Sequence, residues 1–316
     1  MDPVFEFGGL TAFWMIVDAL QAEGEPPRHQ WDELLESPGY RALSTEFKPS
    51  FFKEKYRLAY KPSSAATRER AVARGDWYVK HYVDVDERRG ELEAWAASLG
   101  ESEGFMEGPA SKAGEWLPYD VEENPVVAFA VFDMGSRGYE TVVIDPLYAL
   151  SLGGDFGGLL AHELFHSLAR RFYVYEPDRV DEKDRDIMWM LRQLNEEGIA
   201  DQIYVQAYPS RDEHVADSPW VIREMDRLIR RMAITEDAGE LSSSLRMTPP
   251  RAGHATGHYM ADTIMEALGR ERLLETVGDP FGFFRAYDEA AKMRGLDSFS
   301  QEALGYVDGL AMKYGG

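Results

Sequence analysis

The sequence predicts an α+β fold that is mainly α-helical and contains one small β-hairpin or sheet. Helices are predicted because apolar residues recur at helical spacing through most of the chain, with Pro and Gly at the breaks. The β structure is predicted from two runs rich in β-branched and aromatic residues, 126–132 and 139–144, which are separated by turn residues. We expect these runs to pair as a hairpin, and the second to offer an edge to an extended peptide.

The chain is predicted to divide near residue 120. Residues 1–120 form a helical amino-terminal region. Residues 121–316 form a second region that contains the hairpin, the two helices whose candidate site residues are described below, and a helical carboxy-terminal lobe. The segment 101–123 is expected to be a linker or loop because it is rich in Gly, Pro and acidic residues. A second loop is predicted for 238–253. After the hairpin, a first helix is predicted to begin after Gly157-Gly158 and to run to about Arg171. The helices predicted after it are 187–208, 221–234, 254–268, 281–293 and 301–313.

Charge and cysteine content exclude several classes of function. The chain carries 56 acidic and 34 basic residues, a formal net charge of -22. Such a surface repels polyanions and anionic lipids, so we expect neither nucleic acid nor a membrane as a partner. The chain has no cysteine. A transition-metal site must therefore use His and carboxylate ligands, and disulfides and thiolate nucleophiles are excluded.

The amino-terminal sequence indicates where the protein acts. The first basic residue is Arg28, so a positively charged signal-peptide region is missing. The apolar stretch 10–20 is too short to span a bilayer and contains Asp18. We expect a cytoplasmic protein, with secretion as the alternative if a leader precedes Met1 in the natural chain.

The strongest chemical signal is the motif His162-Glu163-Leu164-Phe165-His166, a His-Glu-x-x-His pattern in a predicted helix. Positions i and i+4 lie on one helix face about one turn apart, so two imidazoles can bind one cation. Glu163 is offset by about 100° around the helix. It is therefore predicted to be the base that takes a proton from water beside the metal.

A third ligand is predicted from the next helix, where Glu197 and Asp201 again stand at i and i+4. Gly198 has no side chain, so this helix can pack closely against the first. Two His and one Glu leave the fourth zinc position open, which is the composition of a catalytic site. Asp201 is expected to accept the free N–H of a ligand histidine. Glu196 is the competing ligand, but it points about 100° away and has no Asp at i+4.

His-Glu-x-x-His followed downstream by Glu-Gly-Ile-Ala-Asp resembles the gluzincin metallopeptidases, the thermolysin-like clan. The resemblance implies a zincin-like core, one zinc ion (Zn2+) per chain and a peptide or protein substrate. It also implies that Glu197 is the third zinc ligand and that Asp201 supports a ligand through a hydrogen bond.

The thermolysin-like enzymes also place a His at a helix start, shortly before a Gly, to stabilise the transition-state oxyanion. His254-Ala-Thr-Gly257 resembles this arrangement, with the His one residue closer to the Gly. The resemblance thus implies a catalytic role for His254. His258 shares its helix face and Tyr259 follows, so both are candidates for transition-state or substrate contact. A solvated or core side chain is the alternative for each of the three.

More broadly, the chain resembles a bacterial family described as zinc-dependent peptidases. The shared features are diffuse and extend over most of the chain. They are Trp31-x-x-Leu34, Gly39-Tyr40, the Gly257-x-x-Met260-Ala261 helix, Asp279-Pro280, Phe284 and Tyr287.

We therefore predict a zinc-dependent hydrolase, first of all a metallopeptidase. The alternative from another class is a catalytically idle relative that acts in partner binding or regulation. A metal-dependent hydrolase of non-peptide amides or esters would use the same water chemistry. Ferrous iron is the competing metal, although oxygenases usually hold it with a strand-borne His-x-Asp/Glu.

Overall fold

A computed structural model of the chain describes residues 3–102, 104–235 and 239–315. These residues form two compact units. Unit 1 comprises residues 1–111 and 121–167, and unit 2 comprises 112–120 and 168–316. Helices predominate, and one small mixed sheet accompanies them. The predicted α+β, mainly helical class is confirmed, whereas the division into folding domains near residue 120 stays a prediction.

The sheet belongs to unit 1 and has four strands in the order β1-β2-β4-β3. Strands β1, β2 and β4 are parallel neighbours, and β3 pairs antiparallel with β4. The register places Val126 beside Thr141, and Gly138 beside Val142. The strands are β1 (Val4–Glu6), β2 (Val126–Phe129), β3 (Ser136–Gly138) and β4 (Thr141–Ile144).

The predicted hairpin between residues 126–132 and 139–144 is wrong, because β2 and β4 run parallel. The chain leaves β2, passes to the far side of the sheet, returns along β3 and turns into β4. Residues 127–129 and 142–144 are fully buried, as expected for parallel strands covered on both faces. Strand β4 consequently has neighbours on both sides and offers no free edge, which also overturns the predicted peptide-binding edge. On the side of β4, the edge strand of the sheet is β3.

In the described residues, ten helices begin in unit 1. Two of them, α8 and α10, end in segments that belong to unit 2. The helices are α1 (Gly8–Gln21), α2 (Arg28–Glu36), α3 (Pro38–Leu43), α4 (Pro49–Tyr60), α5 (Ala65–Ala73), α6 (Trp77–Glu87), α7 (Arg89–Glu101), α8 (Glu107–Gly114), α9 (Pro146–Leu152) and α10 (Phe156–Ala169).

A buried hydrogen-bond network around Asp145 fixes the chain between β4 and α10. The Asp145 carboxylate caps α9 by accepting from the backbone N–H groups of Leu147, at 3.0 Å, and Tyr148, at 3.2 Å. Its other oxygen lies 2.8 Å from His81 Nε2 and accepts from the Phe132 N–H at 2.9 Å. Both ionisable side chains are fully buried. This network holds the end of the sheet and the start of α9 together.

Unit 2 is built from helices, and two of them pack unusually closely. A Cβ added at Gly198 of α11 would lie 2.6 Å from the Gly257 carbonyl oxygen of α15. The two glycines therefore let the helix backbones touch. The helices are α11 (Arg185–Ile203), α12 (Arg211–Ala216), α13 (Ser218–Ala233), α14 (Gly239–Met247), α15 (His254–Leu268), α16 (Arg270–Leu274), α17 (Pro280–Arg294) and α18 (Gln301–Tyr314).

Several predicted boundaries need correction. The predicted linker 101–123 contains α8, and the predicted loop 238–253 contains α14; residue 238 itself lies outside the described residues. Helix α11 ends at Ile203, earlier than predicted, because the chain becomes extended at Tyr204. Among the described residues, none of the helices combines the length and apolarity needed to cross a lipid bilayer.

Candidate metal centre

One turn of α10 in unit 1 brings two imidazoles together. Residues 159–169 are all buried, and they include His162 and His166. The Nε2 atoms of the two rings are 3.1 Å apart. Two nitrogens bound to one tetrahedral zinc at 2.0–2.1 Å would be about 3.3 Å apart. The pair is thus close enough either to share a proton or to bind a single cation.

Glu163 is buried beside these histidines and is only 4% exposed. Its Oε1 accepts a 2.6 Å hydrogen bond from Ser136 Oγ of β3. The hydroxyl occupies one carboxylate oxygen and fixes the direction of the side chain. Ser136 could not be identified from the sequence, because it lies in a segment predicted as a turn.

Strand β3 lies directly against the metal-binding turn of α10. A Cβ at Gly138 would fall 2.3 Å from His166 Cβ and 3.0 Å from the Glu163 carbonyl oxygen. Any side chain at this position would therefore displace the helix or the strand. On the same strand, Arg137 donates to Glu46 at 2.9 Å and to Asp133 at 2.8 Å. These ion pairs hold the edge strand in place beside the motif.

Unit 2 brings a second group of candidate residues together at the start of α15. His254 Nδ1 lies 3.2 Å from Glu197 Oε2 and 3.3 Å from Asp201 Oδ1. The two carboxylates lie one turn apart on α11, as the sequence predicts. His254 Nδ1 is within hydrogen-bond reach of both carboxylates and would donate to one of them when it carries a proton. Gln193 Nε2 approaches the other Glu197 oxygen at 3.4 Å.

Glu196, the competing ligand candidate, has other contacts. Tyr173 donates a hydrogen bond to its carboxylate, and Arg192 Nε lies 3.8 Å away. Burial is the main reason why the pKa of the Tyr173 hydroxyl is raised, and the charge of Glu196 raises it further. The hydroxyl therefore stays protonated and remains a donor at neutral pH. Glu196 is thus engaged within unit 2, whereas Glu197 is the acid that lies beside His254.

The residues that lead into His254 adopt a strained backbone. Arg251 and Ala252 have φ values of 51° and 54°, in the left-handed region that side chains disfavour, and Gly253 has a φ of 97°. Non-glycine residues in this region cost of order 1–3 kcal/mol each and cluster at functional sites. The strain marks the start of α15 as a position where backbone geometry is held at an energetic cost.

The other two predicted contact residues lie further along α15. His258 Nδ1 is 2.9 Å from Gln202 Nε2, and His258 Nε2 is 3.3 Å from Asp262 Oδ2. Burial is the largest cause of a lowered pKa at His258, so the ring is neutral at pH 7. Tyr259 is half-buried, and its ring centre lies 6.4 Å from that of Tyr287. Roles in transition-state or substrate contact stay predictions for both.

The structure thus groups the predicted site residues into two sets, one in each unit. His162, Glu163 and His166 lie together in unit 1, and Glu197, Asp201 and His254 lie together in unit 2. The prediction that a single ion binds residues from both sets stays a prediction. Sequence reasoning missed Ser136 and Gly138, which contact the motif through a strand that it did not recognise.

Comparisons with known proteins extend this description. Residues 31–295, well over half of the chain, match the family model described as "Putative zinc dependent peptidase (DUF5700)". No curated protein and no solved structure matches the chain significantly. The matched range includes both sets of candidate residues. The chain therefore belongs to this family, whose description names a zinc-dependent peptidase.

Proposed function

We propose that the chain is a gluzincin-type zinc metallopeptidase in which His162, His166 and Glu197 bind one zinc ion. The observation that carries the proposal is the 3.1 Å separation of the two Nε2 atoms on one buried turn, with Glu163 beside them. Family membership supports zinc-dependent peptide cleavage at a coarser level.

The donor types fit zinc. Two imidazoles and one carboxylate form a common catalytic zinc set, and a helical His pair at i and i+4 is typical of it. Glu197 is favoured over Glu196 because Tyr173 and Arg192 already engage the latter. When bound, zinc supplies Lewis acidity that polarises a carbonyl and acidifies water.

In this proposal Glu163 moves the proton. Ser136 Oγ holds Oε1 of the carboxylate, which directs the side chain as it accepts a proton from the attacking water. Glu163 then passes this proton to the amine that leaves when the peptide bond breaks. General acid–base catalysis of this kind contributes about 10²–10⁴-fold to the rate.

His254 is proposed to donate a hydrogen bond to the oxyanion that forms at the substrate carbonyl. In this proposal the ring carries a proton on both nitrogens: Nδ1, which lies 3.3 Å from Asp201 Oδ1, donates to that carboxylate and is oriented by it, and Nε2 donates to the oxyanion. An oxyanion donor is typically worth about 2.7–4 kcal/mol of transition-state stabilisation. His254→Ala is therefore expected to lower kcat and to change KM less.

The free edge of β3 is proposed to bind the substrate backbone. Ser136–Gly138 forms the sheet edge, and Ser136 also contacts the proposed base. An extended peptide added to this edge would place its backbone alongside Glu163.

The proposal is tested with Glu163→Gln. The amide keeps the shape of the side chain but cannot take a proton, so peptide cleavage should fall by about 10²–10⁴-fold while zinc stays bound. Cleavage is measured by mass spectrometry on a peptide library, and zinc by elemental analysis.

Glu140→Gln is the matched control, because Glu140 is an exposed residue of the same unit. It should leave both zinc content and cleavage unchanged. Unchanged cleavage by zinc-loaded Glu163→Gln would contradict the proposal, as would about one iron per chain in place of zinc. If the protein hydrolysed esters or non-peptide amides but not peptides, the proposed water chemistry would stand and the proposed substrate class would be wrong.

A further inference from the structure

Unit 2 contains a cavity that the proposed mechanism does not use. It has a volume of about 240 Å³ and opens beside the first half of α11. A cavity this small fits one amino-acid side chain or terminal group rather than a large ligand. The lining residues are Tyr175, Pro177, Val180, Arg185, Met188, Trp189, Arg192 and Arg246.

The charge of this cavity is opposite to that of the chain. Three of the lining residues are arginines, and none of those in the described part of the chain is acidic. The whole chain has 56 acidic and 34 basic residues. Three guanidinium groups around one small space repel each other, and an anion bound among them would reduce this repulsion. The cavity is therefore suited to a negatively charged group.

Arg192 has hydrogen-bonding capacity left over. Its side chain is 22% exposed, and its nearest acid, Glu196, lies 3.8 Å away, beyond hydrogen-bond distance. Its Nε is buried and has no hydrogen-bond partner among the described residues. A buried donor without an acceptor is costly, so an acceptor brought by a ligand would be favoured here.

The other two arginines differ in how they are held. Arg246 lies over the Trp189 ring, 4.2 Å from its centre, and donates to Asp186 at 2.8 Å. Its charge is thus partly balanced, and its position is fixed against the aromatic wall. Arg185 is exposed and forms no ion pair with the residues that the structure describes. Arg185 and Arg192 are two turns apart on α11, so both can face one ligand.

The rest of the cavity is apolar. Met188 and Val180 are buried, and Trp189 presents its ring. An inorganic anion would leave this surface without a partner. A carboxylate attached to an apolar or aromatic group would use both parts, because guanidinium groups bind carboxylates bidentately and the ring would pack on Trp189.

We propose that this cavity binds a peptide carboxylate next to an apolar side chain, so that unit 2 recognises acidic or carboxy-terminal peptide segments. The cavity would then be a specificity site on the same helix that carries Glu197. This assignment to a substrate rests on the proposed peptidase function, whereas binding of the carboxylate itself does not.

Calorimetric titration of the zinc-loaded Glu163→Gln protein and of the chelator-treated protein tests the proposal. The probes are N-acetyl-phenylalanine, its amide, the dipeptide N-acetyl-Glu-Phe-amide and inorganic phosphate. We expect the acid to bind at least about 10-fold more tightly than the amide, with or without zinc, since hydrogen bonds to charged groups are lost in the amide. If the dipeptide binds more tightly than the free acid, the cavity recognises acidic side chains. If the free acid binds more tightly, the cavity recognises the carboxylate of a chain terminus.

Variants locate the binding. Arg185→Gln and Arg192→Met should each weaken binding of the acid by about 10- to 100-fold. Arg185 is exposed, so its variant is expected to fold even if Arg192→Met does not. Arg227→Gln is the matched control, because Arg227 is an exposed helical arginine of unit 2 paired with Glu224. Its affinity should equal that of the parent protein.

The proposal would be overturned by equal affinity for the acid and the amide, or by binding of the acid only when zinc is present. Equal affinity of Arg185→Gln and Arg227→Gln for the acid would overturn it too. Phosphate that binds as tightly as the acid would also overturn it, because the apolar wall would then contribute nothing. Absence of peptide cleavage by the zinc-loaded parent protein, with binding of the acid retained, would instead count against the peptidase proposal alone.

Discussion

At Gly138 the backbone of β3 passes so close to α10 that no side chain fits. We expect Gly138→Ala to lower the free energy of unfolding by about 1–3 kcal/mol, because the new Cβ would overlap His166 Cβ at 2.3 Å. The same displacement should move His166 away from His162 and weaken zinc binding. Urea denaturation and zinc titration measure the two effects.

The control for this substitution is Gly90→Ala in α7. Gly90 is exposed, and a Cβ there would meet nothing within 4 Å. Ala is favoured over Gly in a helix by up to about 1 kcal/mol, so this variant should be neutral or slightly more stable. Equal stability of the two variants would show that β3 does not contact α10 as described.

His258 is expected to make stability depend on pH. Burial lowers its pKa below 6.5, with a further contribution from Arg211, while Asp262 and Asp201 act in the opposite direction. The unfolded chain then binds a proton at a higher pH than the folded chain. The stabilising contribution is therefore fully present above pH 6.5 and is lost as the pH falls from there towards the lower folded pKa.

His258→Gln removes the titrating ring and keeps an amide beside Gln202. We expect the unfolding free energy of this variant to decline less between pH 7.5 and 5.5 than that of the parent. Urea denaturation in the presence of a chelator measures this difference without competition from metal binding. A decline that is identical in the two proteins would contradict the buried, neutral state of His258.

At the residue scale, the sequence predicted what a single helix determines. The relation of His162, Glu163 and His166 follows from helical geometry alone, so their convergence could be foreseen. Ser136 and Gly138 could not be identified, because they meet the motif only through packing of a strand that is distant in sequence. The partners of His254 were likewise hidden, since they lie on another helix.

At the scale of elements, long periodic helices were predictable and strand pairing was not. Helix α15 has the predicted bounds, and α17 and α18 differ by one residue at one end or both. The sheet order depends on β1, a three-residue strand far upstream that has no distinctive pattern. Helix α14 was missed because Ser-rich sequences have weak helix propensity. Burial of Leu245 and Ser242 outweighs that preference in the folded chain.

The close packing of α11 against α15 predicts that a larger side chain at their contact destabilises the protein. We expect Gly257→Ala to destabilise the protein by about 3 kcal/mol or more, because its Cβ would lie 2.5 Å from the Leu194 carbonyl oxygen. Backbone atoms of this kind cannot rotate away, so the helices must separate. The separation would also move His254 relative to Glu197. Chemical denaturation measures the loss of stability. The rate of peptide cleavage by the folded fraction measures the effect of moving His254.

Gly309→Ala in α18 is the matched control, since a Cβ there would meet nothing within 4 Å. This variant should be neutral or up to about 1 kcal/mol more stable. If Gly257→Ala were as stable as Gly309→Ala, the close contact of α11 and α15 would be wrong.

At the scale of the whole molecule, the composition restricts both partners and metal chemistry. A net charge of -22 opposes binding of polyanions and favours approach of cations, including metal ions. Without cysteine, the chain must bind a transition metal through imidazoles and carboxylates. Such ligands must be deprotonated, so binding weakens on acidification. The stability of the whole chain should therefore respond to zinc, and more strongly at pH 7.5 than at pH 5.5.

In our proposal His162, His166 and Glu197 bind zinc, and a ligand that binds only the folded chain stabilises it by mass action. Free zinc at 100 times its Kd should add about 2.7 kcal/mol to the unfolding free energy and raise Tm by several degrees. Chelation should reverse the shift. In calorimetric melting, the Tm of Glu197→Ala should not change when zinc is added. The Tm of Glu196→Ala should still rise with zinc, because Glu196 accepts a hydrogen bond from Tyr173 and is not a proposed ligand. A zinc-dependent shift that persists in Glu197→Ala and vanishes in Asp201→Ala would transfer the ligand role to Asp201, which lies equally close to His254.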